Sequence, residues 1–560
     1  MKYKQLTLYA VFVASFLLYL PAANGPYLVD DYANLLNNEH LVLEQLDSES
    51  LVNAATSSHT GGIGRPLSML SFALNYTLAG DKDVYPVKLV NIILHIITGA
   101  GIFMLLKLLL TQWMRSDPAN TYWTALLVTT LWLLHPLQVS TVLYSVQRMT
   151  MLSALFTVFG LIAYMKYRLD TLRTNSHFLT LLVVVSCLTL LGVLSKENAA
   201  LLPLFALLIE VTVFRFEFHP ETSILRKALV KSMLYVPLLA ISAYLVYSYF
   251  NVRGGIIWPY TFDIDQRLLT QPRILMHYLG WILLINPEPM SLHHTDIGLS
   301  SGMLIPITTL PSIVMLFFLA VSAWFSLRKQ RYPVFGFGIM WFLIGHLLES
   351  TTIPLELMYE HRNYLPSLGI LLIPAYVLVH TLDTVSRNRH SRIWFCTAII
   401  LLTASLTHER ISVWRDEKSL ILDQLSKKSE VAWSWADAAS YLSRAGNPVA
   451  AIDSMRTAAR LDPDEPAFIF GEAYIRCQHR PDLEFPEEFR LSLVSSLEDK
   501  PLTPTSINSL VGMINTCHSS NVNDGILREL YREATKHKRV TVAEIGRNAL
   551  ENLDSKSTRN

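Results

Sequence analysis

The stretch Val87–Leu110, VKLVNIILHIITGAGIFMLLKLLL, decides how the rest of the chain is read. Only Lys88 and Lys107 in it carry a full charge. An apolar run of about 17–25 residues is long enough, as a helix, to cross the hydrocarbon core of a bilayer. Similar runs lie at Leu6–Leu20, Tyr122–Leu137, Met149–Met165, Phe178–Leu194, Ala199–Phe214 and Ser232–Phe250. Others lie at Met303–Phe325, Val334–Leu348, Leu365–Leu382 and Ile393–Leu406, which brings the expected number of spans to about eleven. The run Ile274–Ile285 is too short to cross and reads as a re-entrant or interfacial segment.

Composition agrees. Of 560 residues, 51% are hydrophobic and 16% charged, against about a quarter charged in soluble domains. The apolar excess ends near Thr407. The sequence predicts an all-α chain: a polytopic membrane helix bundle over 1–407, a small helical domain over 408–553 and a disordered tail over 554–560. The net charge is +1 and no basic tract is interleaved with aromatics, which argues against a nucleic-acid partner.

Basic residues in short loops mark the cytoplasmic side. They follow Lys2 and Lys4 at Arg115, at Lys166, Arg168 and Arg173, and at Arg215, Arg226, Lys227 and Lys231. The series continues at Arg328, Lys329 and Arg331, then at Arg387, Arg389 and Arg392. This places the N-terminus in the cytoplasm and the C-terminal domain outside, as an odd number of spans requires. The first run also reads as a cleavable signal ending at Pro21-Ala22-Ala23; the loop 22–85 is outside either way.

The unusual polar clusters then fall on the outer side. Asp30-Asp31 follows the first span. Adjacent carboxylates repel, which raises one pKa and suits a general base; a solvated loop or a helix N-cap is the plain alternative. Arg65 heads Met69–Leu78, an expected interfacial helix, where it can meet a phosphate or snorkel. Asn91 and His95 share a helix face and suit interhelical hydrogen bonds.

His135-Pro136 and Gln147-Arg148 bracket a short hairpin in which Arg148 should face a wet cavity. Ser195-Lys196-Glu197-Asn198 fits between two spans; its Lys either neutralises its Glu or binds a phosphate. The densest signal runs from Glu349-Ser350 to Glu360-His361-Arg362-Asn363-Tyr364. Arg362 has a planar fork for phosphate and His361 can move a proton or bind phosphate. His293-His294 with Asp296 has poor spacing for a metal.

In the tail, Trp435, Ala438, Ala439, Leu442, Ala451, Met455, Ala458 and Pro463 fit one tetratricopeptide repeat over 432–465, a module for a protein partner or a plain helical cap. Cys187 and Cys396 read as small buried side chains. Cys477 and Cys517 are either a disulfide or two free thiols.

Taken together, these motifs resemble the GT-C superfamily of integral-membrane glycosyltransferases, and more closely bacterial relatives of the transmembrane-and-tetratricopeptide-repeat O-mannosyltransferases. The resemblance rests on Asp30-Asp31, Gly64-Arg65-Pro66-Leu67, Leu89-Val90-Asn91 to His95, His135-Pro136-Leu137-Gln138, Gln147-Arg148, Ser195 to Asn198, Glu349 to Tyr364 and the tail. It implies inverting transfer of a sugar from a polyprenyl-phosphate carrier to a hydroxyl acceptor on a protein, a secreted pilin for example, or on a glycan. It implies a bacterial inner-membrane location. Asp30 or Asp31 inherits the role of base. Arg148, Lys196, His361 and Arg362 inherit the donor phosphate, and Arg65, His135, Gln147, Glu197, His293, Glu349, Glu360, Asn363 and Tyr364 line the substrate pocket. No metal ligand set is assigned, and a divalent cation is an open option. An oligosaccharide ligase or polymerase with a lipid-diphosphate donor and a non-catalytic envelope assembly protein are the alternative readings. A transporter would keep its ionisable residues near mid-bilayer.

Overall fold

The computed structural model describes residues 2–43, 45–58, 64–80, 82–114, 118–253, 262–385, 389–479, 484–498, 502–517, 524–536 and 540–557. Gly61, Gly62 and Ile63 of the first loop, Arg115, Arg387 and 558–560, all within segments considered above, lie outside the described residues, as do Gly254 and Gly255. The described residues form helices and turns and no strand. They divide into two compact units: Met1–Gly254 with Ile264–Met290 and Leu299–Ser419, and chiefly Ser291–Gly298 with Leu420–Asn560.

The first unit starts with α1 (Lys2–Tyr19), α2 (Ser48–Thr56), α3 (Pro66–Ala79), α4 (Val84–Met114) and α5 (Pro118–Leu133). It continues with α6 (Val139–Leu143), α7 (Arg148–Thr174), α8 (Phe178–Val193) and α9 (Leu202–Ile209), which widens into a π-turn at Glu210–Phe214. Then come α10 (Ile224–Arg253), α11 (Ile264–Leu284), α12 (Thr309–Lys329), α13 (Pro333–Gly345), α14 (Ser367–Val385) and α15 (Arg389–Val413).

Among the described residues, six segments are long and apolar enough to cross a membrane: Tyr3–Ala22, Val84–Trp113, Ser145–Thr174, Glu197–Phe214, Ile224–Arg253 and Thr309–Lys329. The pair α5 and Pro136–Leu143, bent by 52°, makes a seventh if it is one span. The bend falls where a proline disfavours helical backbone in the residue before it, and His135 caps the new turn by accepting the Leu137 N–H at 3.1 Å. These helices mark a multi-pass membrane protein. Helices α8 and α13, at 16 and 13 residues, are apolar but shorter.

Exterior helices are apolar on their outer faces. Only 17% of the apolar window of α10 and 11% of that of α12 is buried, which exposes Tyr247, Phe250, Phe317 and Phe318. Lipid is the matching solvent for such faces. The same geometry corrects the reading of two cysteines: Cys187 is exposed and Cys396 half-buried, because their positions on α8 and α15 turn outward. Inside the bundle α4 packs on α5 and α7, and α13 on α12 and α14. Glycine permits the last contact. A Cβ on Gly338 would stand 2.3 Å from the Gly369 carbonyl oxygen, and one on Gly369 would stand 2.5 Å from that of Gly338.

Two further differences have physical causes. Ile274–Ile285 is no isolated short run but largely the second half of the 21-residue α11, whose first half carries Gln266, Arg267, Thr270 and Gln271. Arg168, counted above with the loop charges, is fully buried in α7 and grips Glu210 at 2.7 and 3.0 Å, with Phe214 and Phe218 against its guanidinium. It is therefore no measure of loop charge.

Helix α16 (Glu417–Lys427) precedes α17 (Ala432–Arg444), α18 (Pro448–Leu461), α19 (Ala467–His479), α20 (Glu487–Glu498), α21 (Pro504–Cys517), α22 (Asp524–Lys536) and α23 (Val540–Ser557). Ala439, Ala451 and Ala458 are fully buried where α17 meets α18. Asn447 caps α18 at Ala450 N–H and Gly446 supplies the positive φ of the turn. A second core joins α19 to α21, with Cys477 and Cys517 disulfide-bonded. Helix α23 runs through Asp554–Ser557, so that part of the expected disordered tail is helical, continuing the preceding amphipathic turns.

Candidate functional site

The first loop distinguishes the two aspartates. Asp31 is fully buried, and its carboxylate accepts the backbone N–H of Leu28 at 3.0 Å and of Val146 at 2.6 Å. Burial raises its pKa to about 7, opposed by those two hydrogen bonds and the nearby Lys88 ammonium and reinforced by Asp30. Asp30 instead lies exposed, and its backbone N–H donates to the Tyr144 hydroxyl at 2.8 Å. Burial and then the charges of Asp30 and Asp31 push the Tyr144 hydroxyl well up, with Tyr359 also within electrostatic reach. Val29, just before the pair, has φ +23°, an unfavourable value for a β-branched residue.

Arg65 takes a left-handed conformation at the start of α3. That start is tied to the end of α8: Leu67 N–H donates to Leu194 O at 3.0 Å and Ser68 Oγ to Ser195 O at 2.9 Å. Arg65 therefore meets Glu197, at 3.1 Å. Next to it, Lys196 pairs with Glu349 at 3.4 Å and donates to Thr150 Oγ1 at 2.9 Å, and Thr150 donates to Gln147 Oε1 at 2.8 Å.

The segment from Glu349 to Tyr359 is irregular, and α11 holds it. The buried Arg267 donates to the carbonyl oxygens of Thr351 at 2.8 Å, Glu349 at 2.6 Å and Leu355. Gln271 donates to Leu357 O at 3.0 Å, and Tyr278 exchanges hydrogen bonds of 2.9 Å with the backbone of Tyr359. These three side chains share one face of α11. Sequence reasoning missed Arg267; an Arg, a Gln and a Tyr at helical spacing were the available signal.

His361 stacks on Tyr359 with ring centroids 5.0 Å apart. Arg362 spends its Nη groups on Leu357 O at 2.9 Å and Glu356 O at 2.6 Å. Burial acts to raise Glu349, but Lys196 and Arg362, with a hydrogen bond from Asn198, outweigh it and hold the carboxyl at about 2. Burial and the Lys196 charge depress His361 well below its ordinary value against the pull of Glu349, which leaves the imidazole neutral. Burial also lowers Lys196, while Glu349 supports its charge. A cavity of about 30 Å³ lies behind, lined by Thr150, Ser153, Asn198, His361, Arg362 and Tyr364 among others.

Several expected site residues sit elsewhere. Arg148 is fully buried and faces no wet cavity: it donates to Asn91 Oδ1, Ser71 O, Asn75 Oδ1 and Val87 O at 2.7–3.0 Å, with Phe72 over its guanidinium. With its donors engaged by neutral acceptors, it braces the framework rather than offering itself to a phosphate. His135 is buried between Ile282 O and Leu137 N. His95 bonds the Tyr364 hydroxyl at 2.9 Å, linking α4 to the start of α14. Glu360 pairs with Arg410 at 3.3 Å and Asn363 donates to Glu360 O. His293 belongs to the second unit, where it bonds Asp437 at 2.8 Å, while Asp296 pairs with Lys428. Among the described residues no group of three His, Cys, Asp or Glu is arranged to hold a metal ion.

The structure thus gathers cations from three distant loops around Glu349, and sets the exposed Asp30 beside Tyr144, which lies within electrostatic reach of Tyr359. Such a set can deprotonate a hydroxyl and stabilise an anionic leaving group. No protein-family model matches the chain, and no curated protein matches it.

Proposed function

We propose that this protein is an inverting glycosyltransferase with a GT-C-like bundle of about eleven crossings, transferring a sugar from a polyprenyl-phosphate carrier to a hydroxyl acceptor. The observation that carries this reading is the meeting of Arg65, Lys196 and Arg362 around Glu349 and neutral His361, while Asp30 lies beside Tyr144, itself within electrostatic reach of the Tyr359 on which His361 stacks. Asp30 is the base because it is the exposed member of its pair. It takes the acceptor hydroxyl proton, the oxygen attacks the anomeric carbon, and the bond from that carbon to the phosphate oxygen breaks. The lipid phosphate leaves with its negative charge beside the cations. Asp31 positions Asp30 through the backbone.

The acceptor is a secreted or envelope protein, or a glycan, on the outer face of a bacterial inner membrane. The Cys477–Cys517 disulfide supports an oxidising compartment for the tail. The α17–α18 hairpin supports a tetratricopeptide-like module there that engages a protein partner.

Intact-protein mass spectrometry of secreted proteins from cells with and without the gene tests the reading. Loss of one sugar mass from a protein supports it. Loss of a long glycan points to a diphosphate-dependent ligase, and no change in any protein or glycan sinks the transfer reading.

A further inference from the structure

We infer that Glu197 sets the charge of the phosphate this site accepts, so that a phosphodiester with one negative charge binds more tightly than a diphosphate. The inference rests on the lipid-phosphate reading above. Lys196 feels Glu349, Arg65, Glu197 and Arg362 together, so these side chains form one electrostatic group. It contains three cations and two carboxylates, and His361 adds no charge. One positive charge remains in excess.

The two ion pairs differ in access. Lys196 and Glu349 are 8% and 5% exposed, whereas Arg65 and Glu197 are 16% and 32% exposed. The inner pair is sealed, and the outer pair is where a ligand arrives. Glu197 is also incompletely engaged: its Oε2 holds Arg65, while its Oε1 is buried without a hydrogen-bond partner. Arg362 has the same deficit at Nε, beside a cavity of about 30 Å³ that suits water rather than a phosphate group. A phosphate therefore enters from the Arg65 side and shares Arg65 with Glu197. One anionic charge is balanced there. A second meets the Glu197 carboxylate at close range in a poorly solvated site, where like charges repel strongly.

The test is binding of two probes to the purified full-length protein in detergent at low salt. Methyl farnesyl phosphate is a phosphodiester with one negative charge, and farnesyl diphosphate carries more. The wild type is expected to favour the diester by at least about tenfold, the scale of one nearby charge in a partly exposed site. Glu197→Gln should bring the two affinities together by improving diphosphate binding, and Glu197→Asp should keep the preference. Arg65→Gln reads the same balance from the other side: diester affinity should fall about tenfold. If both probes bind and Glu197→Gln leaves their ratio unchanged, or the wild type prefers the diphosphate, or Arg65→Gln leaves diester affinity intact, the inference is overturned while phosphate recognition stands. If the wild type binds neither probe, the lipid-phosphate reading fails first.

Discussion

Asp31 Oδ1 accepts the Val146 N–H at 2.6 Å across a separation of 115 residues, and this bond sets two adjacent aspartates apart. It draws Asp31 out of solvent and leaves Asp30 exposed beside Tyr144. Asp30→Asn should abolish sugar transfer with little change in the thermal unfolding temperature. Asp31→Asn should lower stability by about 1–3 kcal/mol, because an amide nitrogen cannot accept a backbone N–H and leaves it buried and unmet. Transfer assays and unfolding in detergent measure both. Full activity in Asp30→Asn would remove it as the base.

Glu349→Gln should destabilise the protein by about 3 kcal/mol, since it leaves Lys196 as a buried charge without its carboxylate. The pH dependence has a definite sign. The folded carboxyl is held at about 2, below an unfolded value of about 4.3. Its contribution is therefore complete above about pH 4.3 and lost as pH falls toward the folded value. The wild-type unfolding temperature should drop over that acid window, and the drop should be smaller in Glu349→Gln. Equal pH slopes would show that the pair contributes nothing.

Arg267→Lys keeps the charge but cannot reach the carbonyls of Glu349, Thr351 and Leu355 at once. We expect a loss of about 2–3 kcal/mol from two or more unmet buried carbonyls. Protease cleavage within 349–359 should accelerate, and hydrogen exchange there should increase more than in α4. Unchanged exchange in that segment would refute the idea that α11 shapes it.

Gly338→Ala should prevent normal folding or lower the unfolding temperature sharply, because the new methyl would stand 2.3 Å from a backbone oxygen on α14 rather than near a movable side chain. Gly280→Ala is the control, since nothing lies within 4 Å of its added Cβ. Equal unfolding temperatures for the two variants would contradict the close α13–α14 crossing.

Replacing both Cys477 and Cys517 by Ser opens a loop with a sequence separation of 40 residues. Chain entropy sets the cost at about 4 kcal/mol. Limited proteolysis should then cut within 467–517 before it cuts the first unit. A wild-type protein that labels with two more thiol equivalents than expected would show that the bond does not form.

The membrane helix bundle was legible in the apolar runs, because lipid demands uninterrupted apolar length and leaves that demand in the sequence. The count of crossings was less legible: α8 and α13 read as spans by composition but stop at 16 and 13 residues. Glu349 to Tyr364 stood out as a candidate site by its density of ionisable groups. Its template did not. Arg267 sits where a short apolar run was read without its polar first half, and its partners are backbone carbonyls, which have no sequence signature.

What the sequence determined by itself was therefore chemistry and solvent: which segments need lipid, which need water, and which side chains can carry charge. Tertiary structure decided the rest. Arg65 found Glu197 across 132 residues and Lys196 found Glu349 because α3, the end of α8 and the segment after α13 converge. Arg148 and Arg362 are identical in type, yet one braces four neutral acceptors and the other lines a cavity beside His361. Burial and hydrogen-bond supply depend on what packs nearby, and a residue's own identity does not contain that information.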